Sequence, residues 1–157
     1  MATLFEKKRI IRKHQGSAPV NLIPLAEDLG IDVFRAARWD PNISGFIRRN
    51  AFDLDRFEIF VNGRHPYVRR RFTIAHEIAH AVLHSDRIGD GITEDGLLRS
   101  GLPEPIEWQA NRMAADILMP WHLLDPVIAE GELEIEEIAR MFEVSQQAVA
   151  IRLGVPQ

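Results

Sequence analysis

The chain contains 157 residues and no cysteine, and its formal net charge at pH 7 is −4. This length predicts a single domain, residues 1–157, and the content of 46% hydrophobic and 27% charged residues is typical of an ordinary soluble protein. The composition excludes disulfides and thiolate metal sites and gives no support to general nucleic-acid binding. It also lacks the roughly 18 consecutive apolar residues of a membrane span, so we expect a cytoplasmic protein.

The first third of the chain predicts two short helices followed by a small sheet. The basic amino end, residues 1–14, has no apolar run of the kind that a secretory signal carries, and it is typical of a short helix with a solvated face. Residues 21–29 show a helical pattern that a glycine ends. Residues 44–49 and 56–62 are predicted to be the two strands of a hairpin, with residues 31–34 as a third strand.

The middle of the chain predicts two long helices joined by an irregular segment. Pro66 suits the first position of a helix, and apolar residues continue that helix to about residue 85, with a solvated start at the arginines 69–71. Residues 85–104 are rich in glycine and acidic residues, so we expect a connection without regular structure that gates access to the site. A second helix covers residues 105–119 and ends at Pro120.

The last third, residues 126–157, predicts two short helices around a turn at Val144-Ser145. This is the pattern of a helix-turn-helix, but residues 125–157 carry seven acidic residues against Arg140 and Arg152, a net charge of −5. A DNA-binding helix needs cations that hold the phosphates. We therefore interpret the tail as part of the same domain and expect no direct nucleic-acid binding.

The first long helix carries His76-Glu77-Ile78-Ala79-His80, an H-E-x-x-H pattern. Residues four apart lie on one face of a helix, so the two imidazoles can bind one zinc ion at about 2.0–2.1 Å. Glu77 points about 100° away around the helix, where it can act as general base toward a water that the metal activates. Because the chain has no cysteine, histidine and carboxylate must hold the zinc, which is typical of a catalytic site.

A catalytic zinc site needs a third protein ligand, and three residues are candidates. His84 lies about 12 Å along a continuous helix from the first histidine, too far for both to bind one ion. Asp86 would require a glycine at the position of Leu83, where the chain would have to bend. Glu107 lies on the second helix with Asn111 one turn later on the same face. We therefore predict Glu107 as the ligand and Asn111 as a hydrogen-bond partner of a ligating imidazole.

Two segments of the chain resemble the ImmA/IrrE family of metallo-endopeptidases. Residues 71–84, RFTIAHEIAHAVLH, resemble the family's R-F-T-x-A-H-E-x-x-H-x-x-L-H signature. Residues 107–120, EWQANRMAADILMP, are similar to its E-x-x-A-N-x-F-A-x-x-L-L-M-P block, with Met113 in the position of an aromatic residue. Ser44-Gly45-Phe46 and the strand that ends at Asn62 occupy the places of the family's upstream hairpin.

The resemblance implies a zincin-like α+β fold, in which a small, mostly antiparallel sheet packs on the helix that carries the H-E-x-x-H pattern. It implies His76, His80 and Glu107 as ligands of one Zn²⁺ per chain, and Glu77 as the catalytic base. Family members are typically encoded beside helix-turn-helix repressors of phage, mobile-element or stress genes. The implied function is therefore a zinc endopeptidase that cleaves such a repressor. The rival is a non-hydrolytic zinc-containing module that acts as an antirepressor or as a toxin–antitoxin component.

Two further expectations concern the substrate. Tyr67, His65 and His122 are candidates for a donor that stabilises the oxyanion, and the sequence does not choose among them. We also expect residues 56–62 to be an edge strand that pairs with an extended, locally unfolded segment of the partner protein.

Overall fold

The computed structural model describes residues 2–89, 91–95 and 102–156, and for residues 92–95 it describes the backbone alone. Within these residues the chain forms an α+β fold, as the resemblance implies. Its helices are α1 Leu4–Lys13, α2 Leu22–Asp28, α3 Tyr67–Leu83, α4 Glu104–Leu118, α5 Trp121–Glu130, α6 Ile135–Phe142 and α7 Gln146–Leu153. Its strands are β1 Ile31–Ala36, β2 Ile43–Arg49, β3 Phe57–Asn62 and β4 Ile92–Asp95. None of the described helices is both long enough and apolar enough to cross a membrane.

The four strands form one sheet in the order β1-β3-β2-β4. β1 pairs with β3 in parallel, with Ile31 opposite Phe57, whereas β2 pairs antiparallel with both β3 and β4. The sheet is therefore mostly antiparallel, as expected. The expectation that residues 56–62 form an edge strand is wrong, because β1 pairs with β3 along its whole length and β2 occupies its other side. An added peptide strand has no free edge at β3.

The connection after α3 contains regular structure that the sequence pattern did not predict. Ser85–Arg87 form a 3₁₀ turn, and β4 pairs with β2, with Ile92 opposite Ile47. A Cβ atom on Gly91 would collide with the ring of Phe46, so glycine is required where the chain enters this strand. A strand of four residues is stabilised by pairing with its neighbour and is too short to show a clear periodic pattern. For this reason the sequence did not predict it. Residues 90 and 96–101 lie outside the described residues, and gating by this segment stays a prediction.

Helix α3 lies between the sheet and helix α4. One face of β3 is apolar because its side chains alternate, so Phe57, Ile59 and Val61 are buried on the side that α3 covers. Ile74 and Ile78 of α3 join the same core. The central helix is thus buried on two sides, and that burial fixes the positions of its polar side chains.

The tail contains one more helix than the sequence predicted. Helix α5 was missed because Pro126 lies inside it, and a proline usually indicates a helix boundary. Helices α6 and α7 form as predicted around Val144-Ser145, and the hydroxyl of Ser145 accepts a hydrogen bond of 3.0 Å from the backbone N–H of Ala148. Arg152, a residue that a recognition helix would offer to DNA, instead donates to the carbonyl oxygen of Met119. Its guanidinium also pairs with Asp116 at 2.8 Å.

Candidate metal centre

Three side chains from α3 and α4 converge on one point in the core. His76 and His80 lie one turn apart on the face of α3 that α4 covers, and Glu107 lies in the first turn of α4. His76 Nε2 lies 3.1 Å from His80 Nε2 and 3.3 Å from Glu107 Oε2, and His80 Nε2 lies 3.1 Å from Glu107 Oε1. All three side chains are buried. The sequence predicted this set, and the fold brings it together.

The separations of these atoms suit a metal ion. Ligands bound at 2.0–2.1 Å to a tetrahedral zinc lie about 3.3–3.4 Å from one another. The three separations here are 3.1 to 3.3 Å. An ion placed between these atoms therefore requires the side chains to move apart only slightly. Two imidazoles and one carboxylate are also a donor set that catalytic zinc sites use.

The charge of Glu107 is stabilised by the two histidines. Burial by itself would raise the pKa of the Glu107 carboxyl, but hydrogen bonds to His76 and His80 and the charge of the two rings hold that pKa below its ordinary value. Glu107 is therefore ionised at neutral pH, the form in which a carboxylate binds a metal ion.

Asn111 orients the first histidine. Its Oδ1 atom lies 2.8 Å from Nδ1 of His76 and can only accept, so the ring carries its proton on Nδ1 in this contact. When the ring is neutral, its Nε2 atom then presents a lone pair to the cluster. This is the contact that the spacing of Glu107 and Asn111 on α4 predicted.

The second histidine, His80, is oriented by two residues that were not predicted from the sequence to belong to the site. His80 Nδ1 lies 3.0 Å from His84 Nδ1, and His84 Nε2 lies 2.8 Å from Oε1 of Gln109. Burial lowers the pKa of His84, although the hydrogen bond that the ring donates to Gln109 opposes that effect. The spacing of four residues after His80 was a signal for His84, whereas Gln109 had none, because its contact depends on how α4 is rotated against α3.

Glu77 is completely buried and faces the sheet. A Cβ atom at Gly45 of β2 would lie 3.5 Å from the Cγ atom of Glu77. The glutamate side chain therefore lies between α3 and the sheet, opposite a residue that has no side chain of its own. The same Cβ atom would lie 2.7 Å from Cγ2 of Thr73. Gly45 therefore allows α3 to approach β2 closely enough to enclose this carboxylate.

The three candidates for an oxyanion donor make their polar contacts elsewhere. Tyr67 lies nine residues before His76, about 13 Å along the helix, and donates to Oε2 of Glu143 at 2.7 Å. His65 donates to the carbonyl oxygen of Pro41 at 2.7 Å, and His122 donates to that of Gln15 at 2.7 Å. None of these three contacts is with the cluster, and an oxyanion donor stays a prediction.

The start of α3 is fastened to the tail, contrary to the expectation of a solvated arginine cluster. Arg71 is buried and donates to the carbonyl oxygens of Val20 at 2.9 Å, Glu143 at 3.1 Å and Phe142 at 3.4 Å. Arg69, in contrast, is exposed as expected. Arg71 therefore ties α3, which carries the two histidines, to α6 and to the segment before α2.

Comparison with known proteins gives a family match that covers most of the chain. The family model described as an IrrE N-terminal-like domain, from a peptidase family, matches residues 26–154. The radiation response metalloprotease IrrE of Deinococcus radiodurans is 37% identical over 114 residues, and that of Deinococcus deserti is 34% identical over 110 residues. Each alignment covers 68% of this chain but 33% and 39% of the relatives, so the chain spans about a third of their length.

A solved structure of a Mycobacterium tuberculosis transcriptional regulator has a similar fold. The superposition has a TM-score of 0.65 and covers 98% of this chain and 47% of that chain. The two sequences are 21% identical, so the likeness concerns the fold alone.

Proposed function

The chain belongs to the peptidase family of IrrE N-terminal-like domains, and from this premise we propose that it is a zinc-dependent endopeptidase. The observation that carries the proposal is the convergence of His76, His80 and Glu107, with Glu77 buried on the same helix. Burial of three ionisable side chains at one point, and of a fourth on the same helix, costs stability, and a metal ion and a reaction would explain that cost.

The residues of the site have separate roles in the proposed reaction. A zinc ion held there would supply Lewis acidity, which makes water a stronger acid and polarises the scissile carbonyl. His76, His80 and Glu107 would hold the ion. Glu77 takes a proton from the attacking water and delivers it to the nitrogen of the leaving amine. Enclosure of Glu77 between α3 and Gly45 keeps bulk water away and fixes the direction of its carboxylate.

We propose a regulatory protein as the substrate, namely a helix-turn-helix repressor encoded beside this chain. The support is the family, whose relatives in two Deinococcus species are named as radiation response metalloproteases. Because β3 is enclosed between β1 and β2, an extended substrate segment must find another surface near the cluster. Stress or mobile-element regulation is the setting in which such cleavage would act.

The experiment that tests the proposal is incubation of the zinc-loaded protein with the neighbouring repressor, followed by mass spectrometry of the fragments. Glu77→Gln should retain zinc and repressor binding and lose cleavage, since it removes the base and keeps the shape. Glu104→Gln, in the exposed first turn of α4, is the matched control and should cleave as the wild type does. If Glu77→Gln relieved repression as well as the wild type, the protein would be the non-hydrolytic antirepressor or toxin–antitoxin module instead.

A further inference from the structure

We infer that Gln109 and His84 act together as positioning residues that place a proton on Nδ1 of His80 and leave its Nε2 lone pair for the metal ion. The inference rests on the metal site of the proposed function but not on peptide hydrolysis. The evidence is a continuous chain of short contacts that leads from α4 back to α3. It runs from Gln109 Oε1 to His84 Nε2 at 2.8 Å, and from His84 Nδ1 to His80 Nδ1 at 3.0 Å.

The chemistry of Gln109, His84 and His80 determines which atom donates and which accepts in each of the two hydrogen bonds. An amide oxygen can only accept, so the proton between Gln109 and His84 belongs to Nε2 of His84. A neutral imidazole carries one proton, so Nδ1 of His84 is an acceptor. The proton in the next contact must then belong to Nδ1 of His80, and Nε2 of His80 carries none. One amide group thus determines which nitrogen of a residue two contacts away can bind the metal.

The reverse order of protons would block the site. If the amide at position 109 donated to His84, then Nδ1 of His84 would donate to Nδ1 of His80, and the proton of His80 would lie on Nε2. That nitrogen points at Glu107 and at Nε2 of His76, both 3.1 Å away. A proton there would occupy the position of the ion. Metal binding therefore requires the acceptor atom of Gln109 to face His84.

Helix α4 would then prepare both histidines of α3 for the metal. Asn111 Oδ1 accepts directly from Nδ1 of His76, whereas Gln109 acts on His80 through His84. Glu107 on the same helix supplies the third ligand atom. Residues 107–111 thus hold one ligand and both groups that select the tautomers, so the two helices must be docked before the site can bind zinc tightly.

The first test measures zinc affinity by competition with a chelator. Gln109→Met keeps the length of the side chain and removes its acceptor, and His84→Leu removes the acceptor for His80. Loss of such supporting contacts typically lowers metal affinity about 10- to 100-fold. We expect a change of about tenfold for Gln109→Met, because Gln109 is exposed and water can partly replace it, and a larger change for His84→Leu. Gln147→Met, the same substitution at an exposed position of α7, should bind zinc as the wild type does.

Rescue and spectroscopy separate positioning from general damage to the fold. His84→Asn places an amide oxygen near the position of Nδ1, and we expect it to recover most of the affinity that His84→Leu loses. Long-range ¹H–¹⁵N NMR spectra of the zinc-loaded wild type should show His84 protonated on Nε2 and His80 protonated on Nδ1. In Gln109→Met, the proton of His84 should be distributed over both nitrogens.

Two results would overturn the inference while leaving the proposed function intact. One is a zinc-loaded wild type in which His84 carries its proton on Nδ1. The other is wild-type zinc affinity in both Gln109→Met and His84→Leu. A wild-type protein that bound no zinc would instead contradict the metal site itself and, with it, the proposed function.

Discussion

Gly45 of β2 lies directly against Glu77 of α3, at a distance where a Cβ atom on residue 45 would stand 3.5 Å from the Cγ atom of the glutamate. The same Cβ atom would stand 2.7 Å from Cγ2 of Thr73, which is too close for two carbon atoms. We therefore predict that Gly45→Ala pushes α3 away from the sheet and destabilises the protein by about 1–3 kcal/mol, the usual range for an overpacked core. Denaturant unfolding measures this change.

The tight contact can be relieved from the other side. Thr73→Ser removes Cγ2 and keeps the hydroxyl, so we expect Gly45→Ala to be tolerated better in that background, although the carbonyl oxygen of Phe60 remains 3.3 Å away. A double-mutant cycle measures the coupling. Strictly additive effects of the two substitutions would show that the contact with Thr73 is not the cause.

The convergence of the candidate ligands could be predicted from the sequence because it follows from local spacing. His76 and His80 follow from helical spacing, and Glu107 and Asn111 follow from the same spacing on a second helix. The contact between His84 and Gln109 could not be predicted in this way. It depends on the rotation of α4 against α3, which many distant packing contacts determine together.

The parts of the fold that escaped prediction share a dependence on distant partners. Strand β4 exists because β2 offers an edge to it, and helix α5 continues through Pro126, which interrupts the local pattern. The burial of Arg71 depends on three carbonyl oxygens from two remote segments. None of these features has a periodic signal, whereas the long helices and the strands β2 and β3 do.

Replacement of Glu107, the proposed metal ligand on α4, should abolish tight zinc binding. The protein purified with zinc should contain about one ion per chain, and Glu107→Gln should contain much less, because an amide replaces the charged oxygen donor. Zinc should also raise the unfolding temperature of the wild type, since an ion at 1,000 times its Kd stabilises the folded state by about 4 kcal/mol. Elemental analysis and calorimetry measure the two effects. Full zinc content in Glu107→Gln would contradict the assignment, and Glu104→Gln serves as the control.

Arg71 should matter more for stability than its neighbours in the sequence. Its buried guanidinium satisfies three backbone carbonyl oxygens, and Arg71→Met would leave them without that donor. We predict a loss of about 2–4 kcal/mol in the free energy of unfolding, because each buried acceptor left unsatisfied costs about 1 kcal/mol or more. Arg69→Met, at an exposed position with one long contact to Ser44, should change stability little. Equal effects of the two substitutions would show that the buried contacts of Arg71 contribute nothing net.

Tyr67 reports on the junction between α3 and the tail, and it is the sole tyrosine of the chain. Its hydrogen bond to Glu143, its partial burial and the charge of that carboxylate raise the pKa of Tyr67 above the ordinary value. Because the folded-state pKa is the higher one, the stabilisation from this contact is complete below the unfolded pKa, near 10, and is lost as the pH rises through the folded pKa. A near-ultraviolet absorbance titration should show one transition above the ordinary value, and Glu143→Gln should move it down, since the charge is removed. A transition that stayed at the same pH in Glu143→Gln would mean that Glu143 does not hold the phenol.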